Sequence, residues 1–134
     1  MKRIFLLLAA VFFTAVSLTG CSPYTSHYRT IGHVRSERFD SAWISFVKFE
    51  GVEVFKLKCK SGEPTAIRYS GELETGSLTV YYDGKGAKAE LFSLQTGDEV
   101  DAYSEQLAAG TVYVIVETDG KCQNGACSFE ISYD

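Results

Sequence analysis

Val116-Glu117-Thr118-Asp119-Gly120-Lys121-Cys122-Gln123-Asn124-Gly125-Ala126-Cys127-Ser128-Phe129-Glu130-Ile131-Ser132-Tyr133 is the stretch on which the fold turns. From Cys127 onward apolar and polar side chains alternate, the two-residue period of a half-buried strand. Asn124-Gly125 suits a two-residue type I′ turn, because both residues tolerate positive φ. A hairpin about that turn pairs Cys122 with Cys127, Gly120 with Phe129, Thr118 with Ile131 and Val116 with Tyr133. Those residues then share one face, continued by Val112 and Val114, while Ser128, Glu130, Ser132 and Asp134 point away.

Working outward, glycines and polar clusters punctuate short aromatic and β-branched runs all the way back to residue 40. The spacing predicts strands near 42–49, 52–60, 65–73, 77–82, 87–94, 98–105, 111–118 and 127–133. Within 77–82, Leu78, Val80 and Tyr82 fall on one face and Thr79 and Tyr81 on the other. No segment keeps a helical period, although a short helix or an extra strand fits around 28–39. The expectation is an all-β, antiparallel sandwich of jelly-roll-like form, with about seven or eight strands.

The N-terminus reads differently. Met1-Lys2-Arg3 is basic, Ile4 to Leu18 is almost wholly apolar, and Leu18-Thr19-Gly20-Cys21 closes the segment. A charged start, a short apolar stretch and small residues at the cut describe a secretory signal, too short for a comfortable membrane span. The Leu-Thr-Gly-Cys ending resembles the bacterial lipobox, which implies acylation of the Cys21 thiol and a mature chain that starts there. The organisation expected is a signal peptide at 1–20, a lipidated tether at 21–30 and a sandwich domain at 31–134. Ser22 after the modified cysteine permits export to an outer membrane, so the expected location is the cell membrane or outer membrane. Two or three acyl chains anchor firmly where one does not. Cleavage leaves 114 residues with 11 basic and 17 acidic side chains, a net charge of about −6. Such a surface has no basic patch for nucleic acid or anionic lipid. The membrane contact expected is the lipid itself.

Export brings an oxidising compartment, where cysteines can pair. The hairpin register sets Cys122 opposite Cys127 at about 4.5 Å between Cα atoms, a separation that a disulfide accepts. Two reduced thiols on a core face, or a bridge from Cys59 to either one, are the alternatives. Cys59 alternates with Phe55 and Leu57 and reads as a small buried residue. The C-x₄-C spacing is not that of a thiol oxidoreductase.

Little else points to catalysis. Only His27 and His33 could serve as histidine bases or ligands, both stand near the tether, and no third metal ligand lies close in sequence. There is no G-x-S-x-G elbow. Asp98, Glu99, Asp101 and Glu105 form the densest acidic run, with no calcium-loop spacing, and read as a solvated strand. No enzyme activity, metal or cofactor is expected.

Two strands are apolar on both faces, which a sandwich strand with one wet face should not be. Val112, Val114 and Val116 are opposed by Tyr113 and Ile115; Trp43, Val47 and Phe49 are opposed by Ile44 and Phe46. Either the N-terminal segment covers those outer faces or an apolar patch awaits a partner. If exposed, Trp43, Tyr81, Tyr113 and Ile115 are the candidate partner-binding residues, for a protein or, with the three aromatics as platforms, a glycan.

Gly110-Thr111-Val112-Tyr113-Val114-Ile115-Val116 followed by Gly125-Ala126-Cys127-Ser128-Phe129-Glu130-Ile131 resembles the G-x-Y-x-I-x-I … G-x-F-x-I ending of small secreted bacterial β-sandwich modules. Gly76-Ser77-Leu78-Thr79-Val80-Tyr81-Tyr82-Asp83-Gly84 resembles their G-x-L-x-V-x-x-x-D-G strand. Jelly-roll-like modules of the pre-peptidase C-terminal type share this pattern, over about residues 65–133. The resemblance implies a sandwich and a non-catalytic accessory or binding role in the cell envelope. One extra residue separates Gly110 from Tyr113. Val80-Tyr81-Tyr82-Asp83-Gly84 with Ala87 also resembles part of the lipoproteins that inhibit lysozyme, without their S-G-x-x-Y element. That likeness implies the alternative role, an inhibitor of a lysozyme-like or other exogenous enzyme.

Overall fold

The computed structural model describes residues 23–59, 65–84, 86–108 and 110–133. Nine strands follow in chain order: β1 (His27–Ile31), β2 (Val34–Glu37), β3 (Ser41–Cys59), β4 (Thr65–Thr75), β5 (Ser77–Asp83), β6 (Ala89–Gln95), β7 (Glu99–Tyr103), β8 (Gly110–Thr118) and β9 (Cys122–Tyr133). Every pairing is antiparallel. The hydrogen-bonded order is β6-β5-β8-β3-β9-β4-β7, with β1 and β2 added along β3. The all-β antiparallel sandwich expected from the alternation is the fold found, with the segment around 28–39 supplying the two extra strands.

β3 is the spine. Ser41 to Phe49 pairs with β9, whereas Val52 to Cys59 pairs with β8. One strand thus belongs to two layers, and Gly51 is the pivot between them. Gly51 has φ +133°, and a Cβ there would run into the His27 carbonyl and the Tyr28 backbone. Its N–H donates to Thr118 Oγ1 at 2.8 Å, joining the pivot to the end of β8. The first layer contains β2, β1, the first half of β3, β9, β4 and β7. The second contains the other half of β3, β8, β5 and β6.

The layers meet through rings. Tyr69 of β4 stacks on Phe92 of β6 at 4.8 Å, and Phe129 of β9 meets both Phe92 and Phe55 at 6.3 and 6.1 Å. Leu57, Ile67, Leu78, Val80, Val114 and Val116 fill the space around them, all fully buried. Full burial of each such side chain contributes about 1.5–3 kcal/mol, so the facing rows hold the two layers together.

The expected hairpin does not form. β8 ends at Thr118, and the short segment 119–121 carries the chain across the sandwich instead of back beside itself. Asn124-Gly125 lies inside β9 as an irregularity. Only Asn124 adopts positive φ (52°), while a type I′ turn needs it at both residues. Gly125 is there for space: a Cβ would stand 2.6 Å from Phe46 Cζ and 3.0 Å from Leu73 Cδ1. The alternation slips by one residue at this point, and β3 slips to match between Val47 and Lys48, so the pairing keeps its register.

This corrects the predicted Cys122–Cys127 disulfide. Both cysteines sit on one strand, with Phe49 and Ile44 as their partners across β3, and both thiols are free and buried. Cys59 is also buried, as its alternation suggested. Residues 27–31 are strand β1, paired to β3, because their edge hydrogen bonds have a partner there.

Candidate functional site

The outer face of the first layer is an open trough. Register puts Ser36, Trp43, Ser128, Ser70 and Asp101 in one row across five strands. Val34, Ser45, Ala126, Glu72 and Glu99 form the next row. The middle residues of both rows are short, so the flanks stand higher than the floor. A groove of about 730 Å³ lies over the first row, and a second of about 580 Å³, lined by Val47, Glu74, Asp98 and Asn124, continues it. Glu72, Glu99 and Ala126 line both, so the two are one feature.

The two walls differ in chemistry. On the β2–β3 side Val34, Trp43 and Val47 are exposed, Trp43 by 42%. On the β4–β7 side stand Glu72, Glu74, Glu99 and Asp101, all exposed. Arg68 reaches Asp101 at 3.9 Å, and Asp98 accepts the Gln95 N–H at 2.8 Å. Of the acidic run noted in the sequence, Glu99 and Asp101 belong to this wall and Asp98 to its end, while Glu105 lies beyond β7. Glu72 and Glu74 escaped notice because only the β4–β7 register brings them beside that run.

The four candidate partner-binding residues are divided between the layers. Trp43 lies in the trough. Tyr81, Tyr113 and Ile115 lie on the outer face of the second layer, where Ile115 is flanked by Tyr81 and Val54. That face is covered. The Tyr24 ring packs on Tyr113 at 5.7 Å and its hydroxyl donates to Asp83 Oδ2 at 2.5 Å. Lys88 Nζ sits 4.1 Å over the Tyr81 ring and 3.3 Å from Glu117 Oε2. Ile115 is only 2% exposed and is therefore no partner contact. Of the two readings of this doubly apolar strand, burial accounts for Ile115. Ile115→Ala should accordingly cost about 2–4 kcal/mol in urea unfolding. A loss within about 0.5 kcal/mol would instead mark the residue as exposed.

The N-terminal segment also seals the edge of β3. The Val54 N–H donates to Ser26 Oγ at 2.8 Å, Lys56 N–H to Glu37 Oε1 at 2.5 Å, and Lys58 N–H to the Phe39 carbonyl at 2.8 Å. Alternate amides of an otherwise open edge are thus satisfied, which blunts strand addition there.

A second cluster lies at the end of the core beneath β1 and β2. Glu53 is 1% exposed, and its carboxylate meets Arg35 Nε at 2.5 Å and His33 Nε2 at 3.8 Å. Tyr28 stacks on Phe49 at 5.3 Å beside the His33 ring, and the Arg35 guanidinium lies 4.8 Å over Phe55. Burial raises the Glu53 pKa, an effect that the Arg35 charge opposes. Burial and the same arginine lower that of His33. The charges fasten β2 to the core, and His33 is spent in that cluster, whereas His27 is exposed. Among the described residues, no three His, Cys, Asp or Glu side chains come together as a metal site. Burial pushes the Cys127 thiol up to about 12 and raises that of Cys122, so neither is an active nucleophile.

No known protein family matches the sequence, and no curated protein is similar to it. Several solved structures are alike in outline. One is the pre-peptidase C-terminal domain of a collagenase from Bacillus anthracis, at 14% identity over 60% of this chain and 76% of that one, TM-score 0.42. Another is a periplasmic inhibitor of g-type lysozyme from Salmonella Typhimurium, at 15% identity over 78% and 91%, TM-score 0.44. A third is a family 29 carbohydrate-binding module complexed with mannohexaose, at 13% identity over 84% of each chain, TM-score 0.42. None of these likenesses bears on function, and the fold stands on the strand pairing itself.

Proposed function

We propose that this protein is a lipid-anchored envelope lipoprotein whose sandwich is a non-catalytic binding module, taking a protein partner in the trough beside Trp43. The observation that carries the reading is the contrast between layers. The aromatic face of the second layer is covered by the chain's own Tyr24, whereas Trp43 stands half exposed over an uncovered groove. Exposed aromatics in concave, otherwise polar surfaces are where binding energy concentrates. A glycan partner is the lesser alternative, and an inhibitor role is a special case of protein binding.

The anchor rests on Leu18-Thr19-Gly20-Cys21, which lies outside the described residues. Two measurements in cells test the proposal. Cys21→Ser should abolish palmitate incorporation and leave the precursor uncleaved; unchanged labelling would remove the anchor. A photo-crosslinking residue at Ser128, on the trough floor, should capture one protein species that Trp43→Ala prevents. The same probe at Thr79, on the opposite layer, should capture none. Equal capture from both positions would remove the trough as the binding surface.

A further inference from the structure

We infer that the trough accepts a cationic stretch of polypeptide, one rich in arginine or lysine, which deepens the protein-binding reading above and rests on it. The argument starts from the register of β4 and β7. Glu72 stands directly opposite Glu99, and the neighbouring row ends on Asp101. Like charges facing each other across two strands destabilise a sheet. Among the described residues, the cation paired on this wall is Arg68, which lies 3.9 Å from Asp101 rather than at the Glu72–Glu99 pair. A bound cation between those two carboxylates would relieve their repulsion, and a neutral sugar would not.

The opposite wall agrees. Trp43 presents an exposed indole across the same groove, and an indole face attracts arginine and lysine, arginine most often. The row from Trp43 to Asp101 crosses four strands, three spacings of roughly 4.8 Å, so about 14 Å separates the walls, enough to lay an extended peptide between them. Short side chains at Ser45, Ala126 and Ser128 leave the floor open to its backbone. The aliphatic stems of arginine and lysine can cover Val47 while their heads reach the acidic wall.

The test uses the full chain in non-ionic detergent, where Trp43 is the one tryptophan and reports from the trough itself. Nona-arginine should change Trp43 emission in a saturable way, with weaker binding as salt rises from roughly 50 to 200 mM. Glu72→Gln combined with Glu99→Gln should weaken that binding about tenfold, whereas Glu90→Gln on the other layer should leave it unchanged. The double variant should also unfold at a higher temperature, since it removes the like-charge pair. A lower melting temperature would overturn the like-charge argument. If a neutral N-acetylglucosamine hexamer shifts Trp43 emission and nona-arginine does not, the cation inference falls while the trough survives as a binding surface. Silence from both probes also overturns it, and crosslinking from Ser128 then decides the trough by itself.

Discussion

Gly51→Ala is expected to loosen β1 from the domain and to cost about 3 kcal/mol of stability. Two effects act together. The backbone at Gly51 has φ +133°, which L side chains rarely adopt. The new methyl would also meet the His27 carbonyl and stand 2.6 Å from the Tyr28 Cα, which are backbone atoms that cannot swing aside like a flexible side-chain end. Relief requires β1 to move off β3. The Tyr28 ring would then leave Phe49, and the roof over Glu53 would open. Urea unfolding gives the loss directly. Amide exchange should show β1 exchanging early while β4 and β9 stay protected. Stability within about 0.5 kcal/mol of the parent would mean that the pivot does not need glycine.

Arg35→Met should be nearly as damaging at neutral pH, by about 3 kcal/mol, because it leaves the Glu53 carboxylate buried without its cation. Arg35 is itself 36% exposed, which places the loss at the low end for a broken buried pair. The deficit should depend on pH with a definite sign. A glutamate whose folded pKa is raised contributes stability below its ordinary value of 4.5 and loses it as pH rises through the folded value. Removing Arg35 raises that folded value further, so the loss comes into full force as the pH climbs toward 7. His33 works oppositely: its lowered pKa favours the fold above 6.5 and costs stability as pH falls. Without Arg35 that acid penalty also shrinks. Both effects make the difference between variant and parent smaller at pH 4.5 than at pH 7. Adding Glu53→Met should recover most of the loss, since no charge is then stranded. A deficit independent of pH, or one that Glu53→Met deepens, would show that Arg35 acts through its packing on Phe55.

The strand positions were legible because each strand alternates between a packed layer and solvent, and polar breaks mark the ends. Leu78 and Val80 fall inward and Tyr81 outward as the two-residue period requires. The connection after β8 was not legible. Asn-Gly reports tolerance of positive φ, and that tolerance serves an irregularity inside a strand as well as a turn. A finer reading was available: Cys122 and Cys127 are an odd number of residues apart, so a straight strand cannot bury both on one side. The parallel break at Val47-Lys48 carries the same message in β3. Of the trough, Trp43 and the acidic run at Asp98, Glu99 and Asp101 stood out in the sequence, but not that they face each other across one groove. Its acidic wall is assembled from β4 and β7, with the turn 96–98 and all of β5 and β6 between them in the chain, and only strand register brings Glu72 to Glu99.

Among the described residues, a pull from the N-terminal side meets the contacts of Tyr24 first. The first bonds to carry the load are the Tyr24–Asp83 hydrogen bond and the one from Val54 N–H to Ser26 Oγ, with β1 next in line. These contacts lie in series with the pull, so they give way one after another like a zip fastener. The rings of Phe92, Phe129 and Tyr69 lie deeper between the layers and are spared while the strap yields. Tugging on the chain would therefore bare the edge of β3 and the Tyr113 ring before the interior feels the strain. The trough lies on the outer face of the first layer, away from the Tyr24–Asp83 contact on the second, and keeps its shape until the load reaches β1. A domain built this way pays out chain under tension while the groove beside Trp43 stays whole.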